Sequence, residues 1–181
     1  MNSHQIRQSG VGESKKIQRQ VKRHPLVLVL DNVVDTYNIG SFFRLADALA
    51  AEKIYLCGQV VTPPNIKIHR ASIGTWKLVP WQHSYSTTDI LLDLKKQGYQ
   101  LIACEQTPNS RHYQKTDYRQ PIAIVAGSES QGLSPETLSL VDQIVEIPMH
   151  GINKSLNVLV ATAIVGYHFL SLLTGNPKQP A

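Results

Sequence analysis

Cysteine is scarce in this chain. Only Cys57 and Cys104 occur among 181 residues, each at the end of an apolar run and neither with a second Cys or a His at metal-ligand spacing. No metal site is expected, and both residues read as buried thiols in a reducing compartment. An apolar segment behind the N-terminus is also lacking, so no secretory signal is expected and the protein should be cytoplasmic. The one stretch that resembles a membrane span runs from Leu156 to Leu173, but Asn157, Thr162, Tyr167, His168 and Ser171 interrupt it. It reads instead as a helix buried by the core and by a partner subunit, with no membrane involved.

What is present is positive charge. Lys and Arg number 18 against 13 Asp and Glu, a net charge of +5, which suits an anionic partner such as nucleic acid. Arg7, Lys15, Lys16, Arg19, Lys22 and Arg23 all fall in residues 1–24, opposed there by Glu13 alone. With no sustained apolar face, that segment reads as a flexible basic arm able to meet RNA phosphates, or as a plain solvated tail. Residues 175–181 read as a disordered tail. Residues 25–174 then form one domain, because a chain of this length holds one core and has little room for a second.

Leu26 to Leu30 is an uninterrupted aliphatic run, as expected of a strand buried on both faces of a parallel sheet. Asp31 to Gly40 turns polar, and from Ser41 the residues Phe42, Leu45, Ala46 and Leu49 return at helical spacing. Further strands are predicted at Ile54 to Cys57, Gln100 to Cys104, Pro121 to Ala126 and Gln143 to Ile147. Helices are predicted over Asp89 to Gln97, from Pro135, and from Leu156. Val60 to Tyr85 reads as loop with one strand near Leu78. This alternation implies an α/β fold, a mostly parallel sheet flanked by helices.

Ligands of such sheets sit at the carboxyl ends of strands, which directs attention to the loops after Leu30, Ala126 and Ile147. In the first, Gly40 would let a nucleotide approach the backbone, and Arg44 on the following helix would reach a phosphate or a developing oxyanion. In the second, Gly127-Ser128-Glu129-Ser130-Gln131-Gly132 lacks the middle glycine of a dinucleotide fingerprint, the Gly-Lys-Ser/Thr end of a P-loop and the spacing of a nucleophile elbow. A Gly-framed loop presenting one carboxylate is left. In the third, Ser155 reads as a helix cap, whereas Asn157, between Leu156 and Val158, needs a partner that capping does not supply.

Taken in order, Leu30-Asp31-Asn32-Val33-Val34-Asp35-Thr36-Tyr37-Asn38-Ile39-Gly40 through Arg44, then Gly127 through Ser134, then Ile147-Pro148-Met149 through Ser155-Leu156-Asn157-Val158, resemble the three motifs of SpoU methyltransferases. The resemblance runs from about Pro25 to Leu173 and leaves the basic arm unmatched. It implies a SPOUT fold whose C-terminal segment is threaded into a deep trefoil knot, a homodimer, and S-adenosylmethionine-dependent methylation of an RNA ribose 2′-hydroxyl. Transfer RNA is favoured over ribosomal RNA, since no appended RNA-binding domain is visible. By the same resemblance Arg44 is the catalytic arginine and Asn38 helps arrange it, with Glu129, Ser155 and Asn157 as the other polar site residues. Gly127, Ile147, Met149 and Leu156 would hold the cofactor through backbone groups, with Glu105 and Gln106 as a further wall. Lys22, Arg23, Lys67 and Arg70 are the candidate RNA contacts. Three departures stand out: Thr36-Tyr37 where a Pro is frequent, Leu45 where Thr is usual, and Leu49-Ala50-Ala51 where Phe-Gly is common.

Overall fold

The computed structural model describes residue 18 and residues 20–175, so most of the basic arm and residues 176–181 lie outside the described residues. The elements follow in order: β1 (His24–Asp31), α1 (Thr36–Ala48), β2 (Ala51–Cys57), α2 (Ile66–Ser72), β3 (Trp81–Ser84), α3 (Thr87–Lys96), β4 (Gln100–Cys104), β5 (Arg111–His112), β6 (Ile122–Ala126), α4 (Pro135–Leu140), β7 (Gln143–Glu146) and α5 (Val158–Thr174). One seven-stranded sheet has the order β3-β2-β1-β6-β4-β7-β5. Every pairing in it is parallel.

Successive strand residues point to opposite faces, and β1 has a core on each. Leu26, Leu28 and Leu30 pack with Phe42, Phe43, Val165 and Phe169 of α1 and α5. Val27 and Val29 pack with Ile90, Leu91 and Leu94 of α3. Each fully buried side chain of this size contributes roughly 1.5–3 kcal/mol relative to exposure. A strand apolar at every position is therefore what a sheet covered on both faces requires, as the aliphatic run predicted.

Local chemistry starts the helices. The Asp35 carboxylate accepts from the amides of Tyr37 and Asn38 to open α1, and Ser134 accepts from Thr137 N with Pro135 in the first turn of α4. Gly98, at φ +86°, follows α3 where the sequence placed its stop.

Five expectations need correction. Helix α1 begins at Thr36, so Asn38 and Gly40 lie in its first turns and not in a polar loop that runs to Gly40. Residues 60–85 contain helix α2, capped by Asn65, and the strand of that region lies at Trp81–Ser84, beyond Leu78. A helix of seven residues behind Pro63-Pro64 is too short to show a periodic apolar face. The two-residue strand β5 escaped for the same reason. Finally, α5 begins at Val158, because Leu156 precedes its cap.

At the amino edge of the sheet the chain is tied down before β1. The Arg23 guanidinium donates to the carbonyls of Ala51 (2.8 Å) and Leu78 (2.7 Å), next to Asp47. Ala50, between α1 and β2, holds φ +45°, a left-handed conformation that favours glycine. Among the described residues, no helix is long and apolar enough to cross a membrane.

Candidate active site

A cavity of about 400 Å³ opens at the carboxyl edge of the sheet, between the segments that leave β4, β6 and β7. Glu105, Gln106, Gly127, Glu129, Ile147, Met149, Ser155, Leu156 and Asn157 all line it. Segments far apart in sequence meet there because β6 and β7 both pair with β4, which brings the ends of the three strands side by side.

Hydrogen bonds join the three motifs. Asn38 Nδ2 donates to Glu129 Oε1 at 2.6 Å, and Asn157 Nδ2 donates to Asn38 Oδ1 at 3.3 Å. Asn38 is thus a two-sided connector, using its amide donor on one motif and its amide acceptor on the other. Asn157 does cap α5, contrary to the sequence reading: its Oδ1 accepts from Leu159 N and Val160 N. A single amide therefore serves both purposes, with the oxygen starting the helix and the nitrogen reaching the first motif. Ser155 is exposed on the cavity wall and is not the cap.

The glycines have architectural reasons. A Cβ on Gly40 would lie 2.5 Å from Ala71 Cβ and 2.8 Å from Ile68 O, so this residue admits α2 against α1. That contact, and not the approach of a nucleotide, explains the glycine. A Cβ on Gly127 would lie 2.5 Å from the carbonyl carbon of Gly132, so the second motif closes on itself at its base. Gly132 N donates to Ser128 O at 2.9 Å across the same turn.

Cavity residues that sequence reasoning passed over include Cys104, Val145, Glu146, Val158 and Ala161. Strand-end positions next to recognised motif residues were the available signal. Glu146 accepts from Ser110 Oγ at 2.6 Å. Burial pushes the Cys104 thiol up to about 12, with Glu105 adding to the effect, which favours the neutral thiol at neutral pH.

Arg44 does not line the cavity. It lies exposed on α1, one residue past Phe43 of the buried face, and makes no hydrogen bond or ion pair among the described residues. Tyr37, seven residues earlier and so on the same helical stripe, is also exposed. Lys67 and Arg70 project from α2, the helix packed on α1, and Lys22 is exposed. Arg23 is the exception among the candidate RNA contacts, since its guanidinium is occupied by backbone carbonyls.

The lining carries the carboxylates of Glu105, Glu129 and Glu146 and, among the described residues, no Lys, Arg or His. Such a wall suits a ligand with positive charge and disfavours a nucleoside phosphate. Ile147, Met149, Leu156 and Val158 add apolar surface, and the volume lies within the range of small-molecule sites.

Known proteins resemble this chain in sequence and fold. The chain is 32% identical over 147 residues to a tRNA (guanosine(18)-2′-O)-methyltransferase of Aquifex aeolicus, covering 81% of this chain and 69% of that one. The crystal structure of the A. aeolicus TrmH/SpoU tRNA modifying enzyme superposes with a TM-score of 0.79 at 29% identity, covering 91% of this chain and 85% of that one. An AdoMet-bound rRNA methyltransferase from Sinorhizobium meliloti gives a TM-score of 0.78 at 27% identity, over 87% of this chain and 60% of that one. The chain spans from 52% to 69% of the length of curated relatives that it matches. Residues 25–167, which contain all three hydrogen-bonded motifs, match the SpoU rRNA Methylase family. This chain belongs to that family.

Proposed function

We propose that the protein transfers the methyl group of S-adenosylmethionine to a ribose 2′-hydroxyl of RNA, with transfer RNA the favoured substrate. The observation that carries this reading is the union of Asn38, Glu129 and Asn157 by hydrogen bonds at the mouth of an acidic, phosphate-averse cavity. When bound, S-adenosylmethionine supplies a methyl carbon on a sulfonium, with an uncharged thioether as leaving group. Its positive charge would suit the acidic lining, and its adenine the apolar surface of Ile147, Met149 and Leu156.

A hydroxyl is a weak nucleophile, and the residues of this chain must compensate. A guanidinium offers donors and no acceptor, so Arg44 serves to stabilise negative charge growing on the ribose oxygen rather than to take its proton. The proton passes to the RNA phosphate or to a protein acceptor, and the carboxylate of Glu129 lines the same cavity. Asn38, held from both sides, fixes the geometry of the first motif relative to the cavity, and alignment of this kind is the other large source of rate. Lys67 and Arg70, with the basic arm, supply the phosphate contacts.

The reading extends to a homodimer and a knotted C-terminal segment, working in the cytoplasm. Support for the dimer comes from α5 and its approach, where Leu156, Val160, Tyr167 and Leu172 remain between 37% and 55% exposed. The segment after β7 passes beside the loops that leave β4 and β6 to build one cavity, which is the setting a knot would need. Radiolabelled methyl transfer to total RNA, followed by nuclease mapping, tests the activity. Label should appear at a 2′-O position in transfer RNA; label on a base, or none, would overturn the proposal, and label in ribosomal RNA would change the substrate.

A further inference from the structure

Glu105 stands in the wall of the cavity, where a cofactor contact is the first role to consider. Its carboxylate is spent elsewhere. Oε2 accepts from Leu133 N at 3.0 Å and Oε1 from Gln106 N at 3.0 Å, so both oxygens face backbone amides. Gly132, at φ +65°, presents its bare Cα to the same carboxylate, and a Cβ there would collide with Oε2. The second motif is thereby fitted around this side chain.

The loop from Gly127 to Leu133 is internally closed, by the contact of Gly127 with Gly132 and by Gly132 N to Ser128 O. A closed loop moves as a unit, so its position depends on what ties it to other segments. Among the described residues two hydrogen bonds do so: Glu105 with Leu133 N at the base, and Asn38 with Glu129 at the tip. A continuous polar path therefore runs from Glu105 through the loop to Glu129, then to Asn38 and Asn157.

We infer that Glu105 is a positioning residue that sets the reach of Glu129 by clamping the base of the second motif, with Gly132 conserving the space the clamp needs. This rests on the methyl-transfer reading of the cavity only for its kinetic consequence. The geometric consequence, a loop held or released, stands independently of it.

The test uses the full chain with Glu105→Ala, Glu105→Gln, Glu129→Ala and the Glu105→Ala/Glu129→Ala pair. Loss of an acceptor that serves a buried amide through a charged partner is expected to lower kcat by roughly ten- to a hundredfold in Glu105→Ala, with KM for S-adenosylmethionine changed less than about threefold. Glu105→Gln keeps one acceptor oxygen for Leu133 N and should recover part of that loss. Because the residue acts through Glu129, the paired variant should be no slower than Glu129→Ala alone. Amide exchange at Leu133, followed by NMR, should accelerate in Glu105→Ala. Multiplicative losses in the pair, or a rise in KM for S-adenosylmethionine as the main effect, would make Glu105 a direct cofactor contact and overturn the clamp. Unchanged exchange at Leu133 would overturn it even in a chain that transferred no methyl group, an outcome that by itself would sink only the proposed activity.

Discussion

The loops that leave the adjacent strands β1 and β6 each present a carboxylate, and the two have opposite fates. Asp31, at the end of β1, is buried at 5% exposure and takes hydrogen bonds from Thr87 Oγ1 (2.6 Å), Thr137 Oγ1 (2.8 Å) and Asn32 Nδ2 (2.9 Å). It fastens the starts of α3 and α4 to the sheet. Glu129, after β6, is exposed, lines the cavity and takes a hydrogen bond from Asn38 on Oε1. Arg23 and Arg44 repeat the contrast in the opposite charge, one occupied by two backbone carbonyls and one exposed on α1. Saturated groups hold this protein together, and unsaturated ones remain for a ligand.

That division can be broken by substitution. Arg44→Ala should cut methyl transfer by about 10²–10³-fold, the loss typical of a donor aimed at developing charge, while S-adenosylmethionine affinity stays within a few fold by calorimetry. Full turnover in that variant would remove Arg44 from the working set. Asp31→Ala should act in the other direction: stability falls by about 2–3 kcal/mol because buried hydroxyls lose their acceptor, which thermal denaturation would register as a drop of roughly 4–12 °C. A variant that melts normally but turns over slowly would place Asp31 with Glu129 in the site.

Smaller effects sharpen the picture. Asn157→Ala removes both a cap and a link between motifs, so it should cost about 1 kcal/mol of stability and also weaken cofactor binding and activity. Asn157→Asp keeps the capping oxygen and loses the donor to Asn38, and should retain the melting temperature while still losing turnover. Normal turnover in Asn157→Asp, with the losses confined to Asn157→Ala, would reduce Asn157 to a cap. The smallest change lies at the far edge of the sheet, where Ala50→Gly relieves a left-handed backbone and should stabilise by about 0.5–1 kcal/mol with activity unaltered.

Much of the architecture was legible without coordinates. The aliphatic runs of β1, β4 and β6 announce strands covered on both faces, and Ser134 with Pro135, and Gly98, mark helix boundaries by chemistry that acts within a few residues, whereas the Asp35 cap that opens α1 lay inside the segment read as polar loop. Helix α2 was illegible because seven residues offer too few turns to reveal a buried face, and β5 because two residues carry no period. The residues that line the cavity could be named from their motifs, but Gly40 shows how a motif position misleads: its bareness serves the packing of α2, which the sequence had concealed.

Chemistry between near neighbours in the chain sets most of what extends, what coils and which polar side chains lie at strand ends. How those side chains are used is settled by contacts between distant segments. Asn157 capping α5 while reaching Asn38, Glu105 turned to the backbone of Leu133, and Arg23 bound to the carbonyls of Ala51 and Leu78 all depend on partners 28 to 119 residues away. Pairing in a parallel sheet brings such groups together through three-dimensional register, and no periodicity along the chain encodes that distance.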